Sequence, residues 1–193
     1  MTIRKKLIAT AVLLLALTML GYSTIAYFTS EKTATNVITS GSIQIELHET
    51  AVTEDGQIIQ FEASQERFDV MPGQEVSKIV QIENTGESDA YVRVMIDKSI
   101  QLAAGVSGTV DTSLITMDFD RQHWTAKDGY YYYNEPLAPG EKTEPLFKNV
   151  IFNAKMSNMY QNSTAIIKVN AQATQVKNNG TTVFDAAGWP QPE

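Results

Sequence analysis

The chain has 193 residues, no cysteine and 43% hydrophobic residues, enough for one domain with a real core. Without cysteine, disulfide scaffolding and thiolate chemistry are excluded, so an exported domain of this type stands on its core alone. A net charge of −7 argues against nucleic-acid binding, which needs clustered Lys and Arg against phosphate.

The first 30 residues, MTIRKKLIATAVLLLALTMLGYSTIAYFTS, have the form of a helical export signal. Arg4, Lys5 and Lys6 supply the positive start, and the run from Leu7 to Phe28 carries no charge. Roughly 20 apolar residues suffice to cross a bilayer, so length alone permits a permanent anchor. Composition favours cleavage. The strongly apolar part is Ile8 to Leu20, Gly21 to Thr24 weaken it, and no basic stop-transfer cluster follows. Thr24 and Ala26 are small residues placed for a cut between Ala26 and Tyr27. Removing residues 1–26 takes away three basic residues, leaving 12 basic against 22 acidic and a net charge of −10. Such a body is repelled by an anionic membrane surface. Membrane contact is expected only through an uncleaved signal segment.

Residues 27–40 form an extension with no evident partner in the body that follows. From residue 41 the hydrophobic period is two, the mark of strands. GSIQIELHE places Ile43, Ile45 and Leu47 on one face. GQIIQFEA is a short second strand, and VSKIVQIEN offers Val80 and Ile82 to a core. DAYVRVMID alternates most clearly, with Ala90, Val92, Val94 and Ile96 against Tyr91, Arg93, Met95 and Asp97. LITMDFD aligns Ile115, Met117 and Phe119. YYYYN and EPLFKNVIFN add two strands. STAIIKVNAQATQV turns Ala165, Ile167, Val169, Ala171 and Ala173 inward. Residues 153–161 are a candidate short helix. The tail, 177–193, is polar but holds Phe184 and Trp189, which favour docking on the body.

About eight strands separated by turn signals predict an all-β, antiparallel jelly-roll or β-sandwich domain over residues 41–176. The half-polar alternation implies sheets with one wet face. Two segments echo each other, VMPGQEVSKIVQIEN and LAPGEKTEPLFKNVIFN. In each, Pro-Gly fits a type II turn, and a strand of about ten residues ending in Asn follows. In a sandwich these would form equivalent corners of the two sheets.

Catalytic constellations are absent from the sequence. The two histidines, His48 and His123, lie outside any His-Glu-x-x-His pattern. No Gly-x-Ser-x-Gly elbow and no Walker-type loop occurs. His48 reads as a solvent-facing strand residue. Asp118 and Asp120 could attract calcium, but that ion wants six or more oxygens, so solvated charge is the default reading. No metal site and no cofactor is expected. Tyr130, Tyr131, Tyr132 and Tyr133 form the most unusual local composition. Two of them should pack inward, and the outer two remain a candidate partner-binding face.

TIAYFTSEKTATNVITSGSIQIEL resembles the start of the TasA/camelysin-like secreted proteins of Gram-positive bacteria. There a SipW-type signal peptidase cuts before an aromatic stretch, matched here by Tyr27 and Phe28. The segment into the first strand is matched by Thr33, Asn36, Ile38, Gly41, Ile43 and Ile45. VMPGQEVSKIVQIENTGESDAYVRVMI and YQNSTAIIKVNAQATQ are similar to the family's turn-strand-hairpin and closing strand. The resemblance implies a jelly roll, secretion, and a structural role in the biofilm matrix or at the cell surface. It also implies homopolymeric fibres, in which a new N-terminal segment is donated to the next subunit. Phe28, Val37 and Ile38 would then be the anchors of the donated strand. Partners would be further copies, other matrix components, and the signal peptidase during export. Departures are the lack of the long insertions of the larger fibre formers and the lack of a peptidase metal motif. The alternatives are a surface binding module using the tyrosine face, and a camelysin-type secreted metallo-endopeptidase.

Overall fold

The computed structural model describes residues 37–39, 43–60, 67–70 and 72–190. The export signal, the expected cut between Ala26 and Tyr27, and Phe28 lie outside the described residues. The fold is all-β, as the period-two pattern predicts. Twelve strands are present among the described residues, against the eight expected. They are β1 (Val37–Thr39), β2 (Ile45–Val52), β3 (Ile58–Gln60), β4 (Arg67–Asp69), β5 (Glu75–Ser77), β6 (Ile79–Asn84), β7 (Ala90–Gln101), β8 (Ile115–Met117), β9 (Trp124–Lys127), β10 (Tyr130–Tyr133), β11 (Asn149–Phe152) and β12 (Thr164–Gln175). The difference is mostly in three-residue strands, too short to register as a period.

The first layer is the sheet β1-β12-β7-β10-β9, with β4 also on β12. Its spine is the antiparallel β7–β12 pair, in register over all twelve residues of both strands, from Ala90↔Gln175 to Gln101↔Thr164. The inward residues are those the alternation names. Val92, Val94, Ala165, Ile167, Ala171 and Ala173 are all buried.

The second layer comprises β3-β2-β6 and β5-β11-β8. Backbone bonds merge the two groups. Lys78 N–H donates to Lys148, Val80 N–H to Phe147, and Leu146 N–H returns to Val80. Thr143 N–H donates to Ile82, and Asn84 N–H to Glu141. The segment 140–148 therefore lies antiparallel along the second edge of β6 and continues into β11. Between the layers sits one core, in which Ile43, Val80, Ile82, Ile115, Leu146, Phe147 and Phe152 face the inward residues of β7 and β12.

The two Pro-Gly turns take the left-handed glycine that type II geometry requires, with φ +79° at Gly73 and +77° at Gly140. Their placement corrects the expectation of equivalent corners in two sheets. The strands that follow them pair with each other within one layer. Gly73 N–H donates to Phe152 O at the end of one strand, and Gly140 N–H to Asn84 O at the end of the other. Sequence repetition signalled the turn chemistry but not the pairing. The candidate helix over 153–161 is also corrected. Only a 3-10 turn forms there, Asn158–Tyr160, capped by the Ser157 side chain. Burial of Tyr160 fixes the turn to the core, and its hydroxyl accepts from Asp111 N–H (2.9 Å).

Candidate functional site

The outer edge of β12 is the first place where backbone chemistry is arranged for a partner. One side of β12 is fully paired with β7. On the other side two short strands sit at its ends. β4 pairs antiparallel with Thr164–Ile166, and β1 pairs parallel, Val37↔Ala171, Ile38↔Gln172 and Thr39↔Ala173. Between them Ile167–Asn170 has no strand partner on that side among the described residues. Val37 and Ile38, expected anchors of a donated strand, thus have a backbone seat in their own chain. A sheet edge supplies unpaired N–H and C=O groups in a fixed register. A three-residue parallel strand holds such a seat weakly, because parallel pairing is the less stable kind and the ladder is short.

The tyrosine strand β10 divides as alternation requires. Tyr131 stacks on Phe119, with ring centroids 4.2 Å apart. Tyr133 packs against Trp124 (5.1 Å), and its hydroxyl donates to the Glu144 carboxylate. Burial and that carboxylate push the Tyr133 phenol well above its ordinary range. Tyr130 and Tyr132 face the other way, where the C-terminal tail covers them. Val183 is buried there with Tyr91 and Tyr132, and Trp189 and Ala186 pack alongside. Phe184 lies 5.5 Å from Tyr132. The Arg93 guanidinium sits 3.9 Å from the Tyr130 ring and 4.5 Å from the Trp189 ring. Arg93 Nε donates to Gln172 Oε1 (2.8 Å) and Nη1 to Tyr132 Oη (3.3 Å). Asn179 ties the tail down, donating to Gln175 O and Ala187 O and accepting from Ala187 N–H. The candidate partner-binding face is therefore largely filled by the chain itself.

The two aspartates are used locally. Asp118 accepts from the N–H groups of Lys148 and Asn149 (2.9 and 2.7 Å). Asp120 accepts from Gln122 N–H (2.8 Å) and meets His123 Nδ1 at 2.7 Å. The His123 interaction leads the causes that hold the Asp120 carboxyl below its ordinary range. Both side chains brace loops. A groove of about 460 Å³ beside β4 and the 157–162 turn is lined by no ionisable side chain among the described residues.

One cluster has no counterpart in the sequence reading. Glu46, His48 and Glu83 bring one ligand atom each within 4.8 Å of one another. They stand on the outer face of β2 and β6, where Glu46 is directly opposite Glu83 and His48 opposite Gln81. His48 Nε2 lies 2.7 Å from Glu83 Oε2, and Lys142 Nζ lies 3.1 Å from the same oxygen. The Lys142 contact is the main cause holding the Glu83 carboxyl below its usual range. The only trace in the sequence is the two-residue spacing of Glu46 and His48, which puts both on one strand face. The third member comes from a strand 35 residues away.

Comparison with protein-family models, with curated proteins and with solved structures finds no match.

Proposed function

We propose that this is an exported, non-enzymatic structural protein of the extracellular matrix or cell surface. It belongs with the TasA/camelysin-like proteins, and it joins further copies by lending the segment 27–40 to the outer edge of β12. The observation that carries the reading is the parallel pairing of Val37–Thr39 with Ala171–Ala173. A strand that reaches this edge from its own chain uses the same backbone groups as a strand arriving from a neighbour. Occupation in cis gives a monomer. Occupation in trans is head-to-tail, and a head-to-tail contact that does not close gives a filament. The signal segment, with its small residues before Tyr27, supports export and the release of this end.

The test is the assembly state of the mature protein starting at Tyr27, by size-exclusion chromatography and negative-stain microscopy. Wild type is expected to form elongated multimers, and a form lacking residues 27–38 to remain monomeric and folded. Equal assembly by both forms would refute strand lending.

A further inference from the structure

We propose that Glu46, His48 and Glu83 form a binding site for a divalent transition-metal ion of the zinc or copper type. The site lies on the outer face of the β2–β6 ladder and is independent of the strand-lending edge.

The ladder fixes the geometry. With Glu46 paired to Glu83 and His48 to Gln81, alternation sends Glu46, His48 and Glu83 to one face. Their donor atoms fall within 4.8 Å of one another, and since two ligands of one zinc ion stand at most about 4.2 Å apart, the exposed Glu46 side chain has to swing inward by a fraction of an ångström or more to complete the site. Two carboxylates directly opposed across strands repel each other. A cation between them removes that penalty. Without an ion, the Lys142 ammonium is the positive partner of Glu83, and His48 lies within hydrogen-bond distance of the same oxygen.

The donor set selects the ion class. One imidazole nitrogen and two carboxylate oxygens suit zinc or copper. Calcium and magnesium prefer six or more oxygen ligands or a near-complete oxygen octahedron, and a nitrogen donor speaks against both. Three protein ligands leave at least one position for water. His48 and Glu83 are partly shielded, at 18% and 25% side-chain exposure, and Glu46 is exposed. An ion can therefore enter from solvent without the sandwich opening. Lys142 acts as a competitor. Its ammonium occupies Glu83 Oε2, the oxygen that also meets His48, so an ion must displace it.

The test is calorimetric titration of the metal-free protein with zinc chloride and copper chloride, with calcium chloride as control. One equivalent of zinc or copper is expected to bind and calcium not to bind. His48→Ala and Glu46→Gln should each weaken the binding by at least about tenfold, with the fold checked by circular dichroism. Lys142→Gln should tighten it, an outcome a purely structural role for the cluster would not produce. Nuclear magnetic resonance should place the metal-induced shift on the His48 ring. The proposal is overturned if zinc and copper bind His48→Ala as well as wild type, or if Lys142→Gln weakens binding. It is also overturned if binding is lost on His123→Ala, since the Asp120–His123 pair would then be the ligand.

Discussion

The Arg93 guanidinium carbon lies 4.5 Å from the centre of the Trp189 ring, joining the first half of the central strand β7 to the C-terminal tail. Tyr130 closes on the same guanidinium at 3.9 Å, so the cation is held between two aromatic faces. Such a contact is worth about 0.5–2 kcal/mol, depending on how well it is desolvated.

Trp189→Ala should therefore destabilise the protein by about 1–3 kcal/mol, from the lost cation–π contact plus the lost aromatic burial. Gly180→Ala should loosen the same tail by a different route. Its φ is +75°, and an added Cβ would meet the Asp185 backbone at 3.0 Å. Gly129 is the control, with φ +81° and nothing within 4 Å, so Gly129→Ala carries only the backbone strain. Urea denaturation followed by tryptophan fluorescence checks all three. The expected order of midpoints puts Gly129→Ala above Gly180→Ala.

Lys78 is fully buried, and its ammonium lies 2.7 Å from Glu49 Oε1, whose side chain is 17% exposed. The asymmetry of exposure predicts an asymmetry of mutational cost. Glu49→Ala takes a carboxylate away from a buried ammonium and should destabilise the protein. Lys78→Met keeps the volume and leaves a carboxylate with some access to water, so it should cost less. The double variant Glu49→Leu/Lys78→Met should be more stable than Glu49→Ala, because replacing both members of a buried pair by apolar groups is often neutral or stabilising. Chemical denaturation of the four proteins decides the order.

His123 and Asp120 form a partly exposed pair with opposite shifts. Donating its Nδ1–H to the Asp120 carboxylate raises the His123 pKa above 6.5, and accepting that bond lowers the Asp120 pKa below 3.8. For the raised histidine, stability is fully present below pH 6.5 and is lost as pH rises through the folded-state value. For the lowered aspartate, stability is present above pH 3.8 and is lost as pH falls through its folded-state value. The pair therefore contributes most between those limits. Proton titration of the His123 ring should give a lower pKa in Asp120→Asn than in wild type, with Glu144 and Glu135 still holding part of the rise.

The layers of this fold were readable because two long strands repeat with period two. Val92 and Val94 on β7, and Ala165 through Ala173 on β12, stand where alternation puts them. Pairing was not readable. Two Pro-Gly strands that look like equivalents in separate sheets are neighbours, because local turn chemistry carries no information about partners. Gln172 and Thr174 are on the outer face, yet only 2% exposed: Thr174 bonds to Ala187 and Asn179 of a tail from later in the chain, and Gln172 accepts from Arg93. The Glu46–His48–Glu83 cluster was hidden for the same reason. Strand periodicity fixes which face a residue takes, but only the register of β2 against β6 brings Glu83 to His48. The β1 seat is three residues long, below what any periodicity can signal.

That seat makes the strand-lending reading directly testable with a reversible lock. Val37 and Ala171 are register partners, and directly paired residues of neighbouring strands stand at separations compatible with a disulfide. The chain has no cysteine of its own, so a Val37→Cys/Ala171→Cys variant has one pair available. Oxidised at low concentration, it should close in cis, fix the segment in its own β12 edge and stay monomeric. Reduction should restore the elongated multimers of wild type. Oxidised after assembly, the same variant should form ladders of covalent multimers on a non-reducing gel, because the thiol introduced on β1 of one copy would then face the thiol introduced on β12 of the next. Full assembly by the cis-locked monomer would mean that another surface joins the copies.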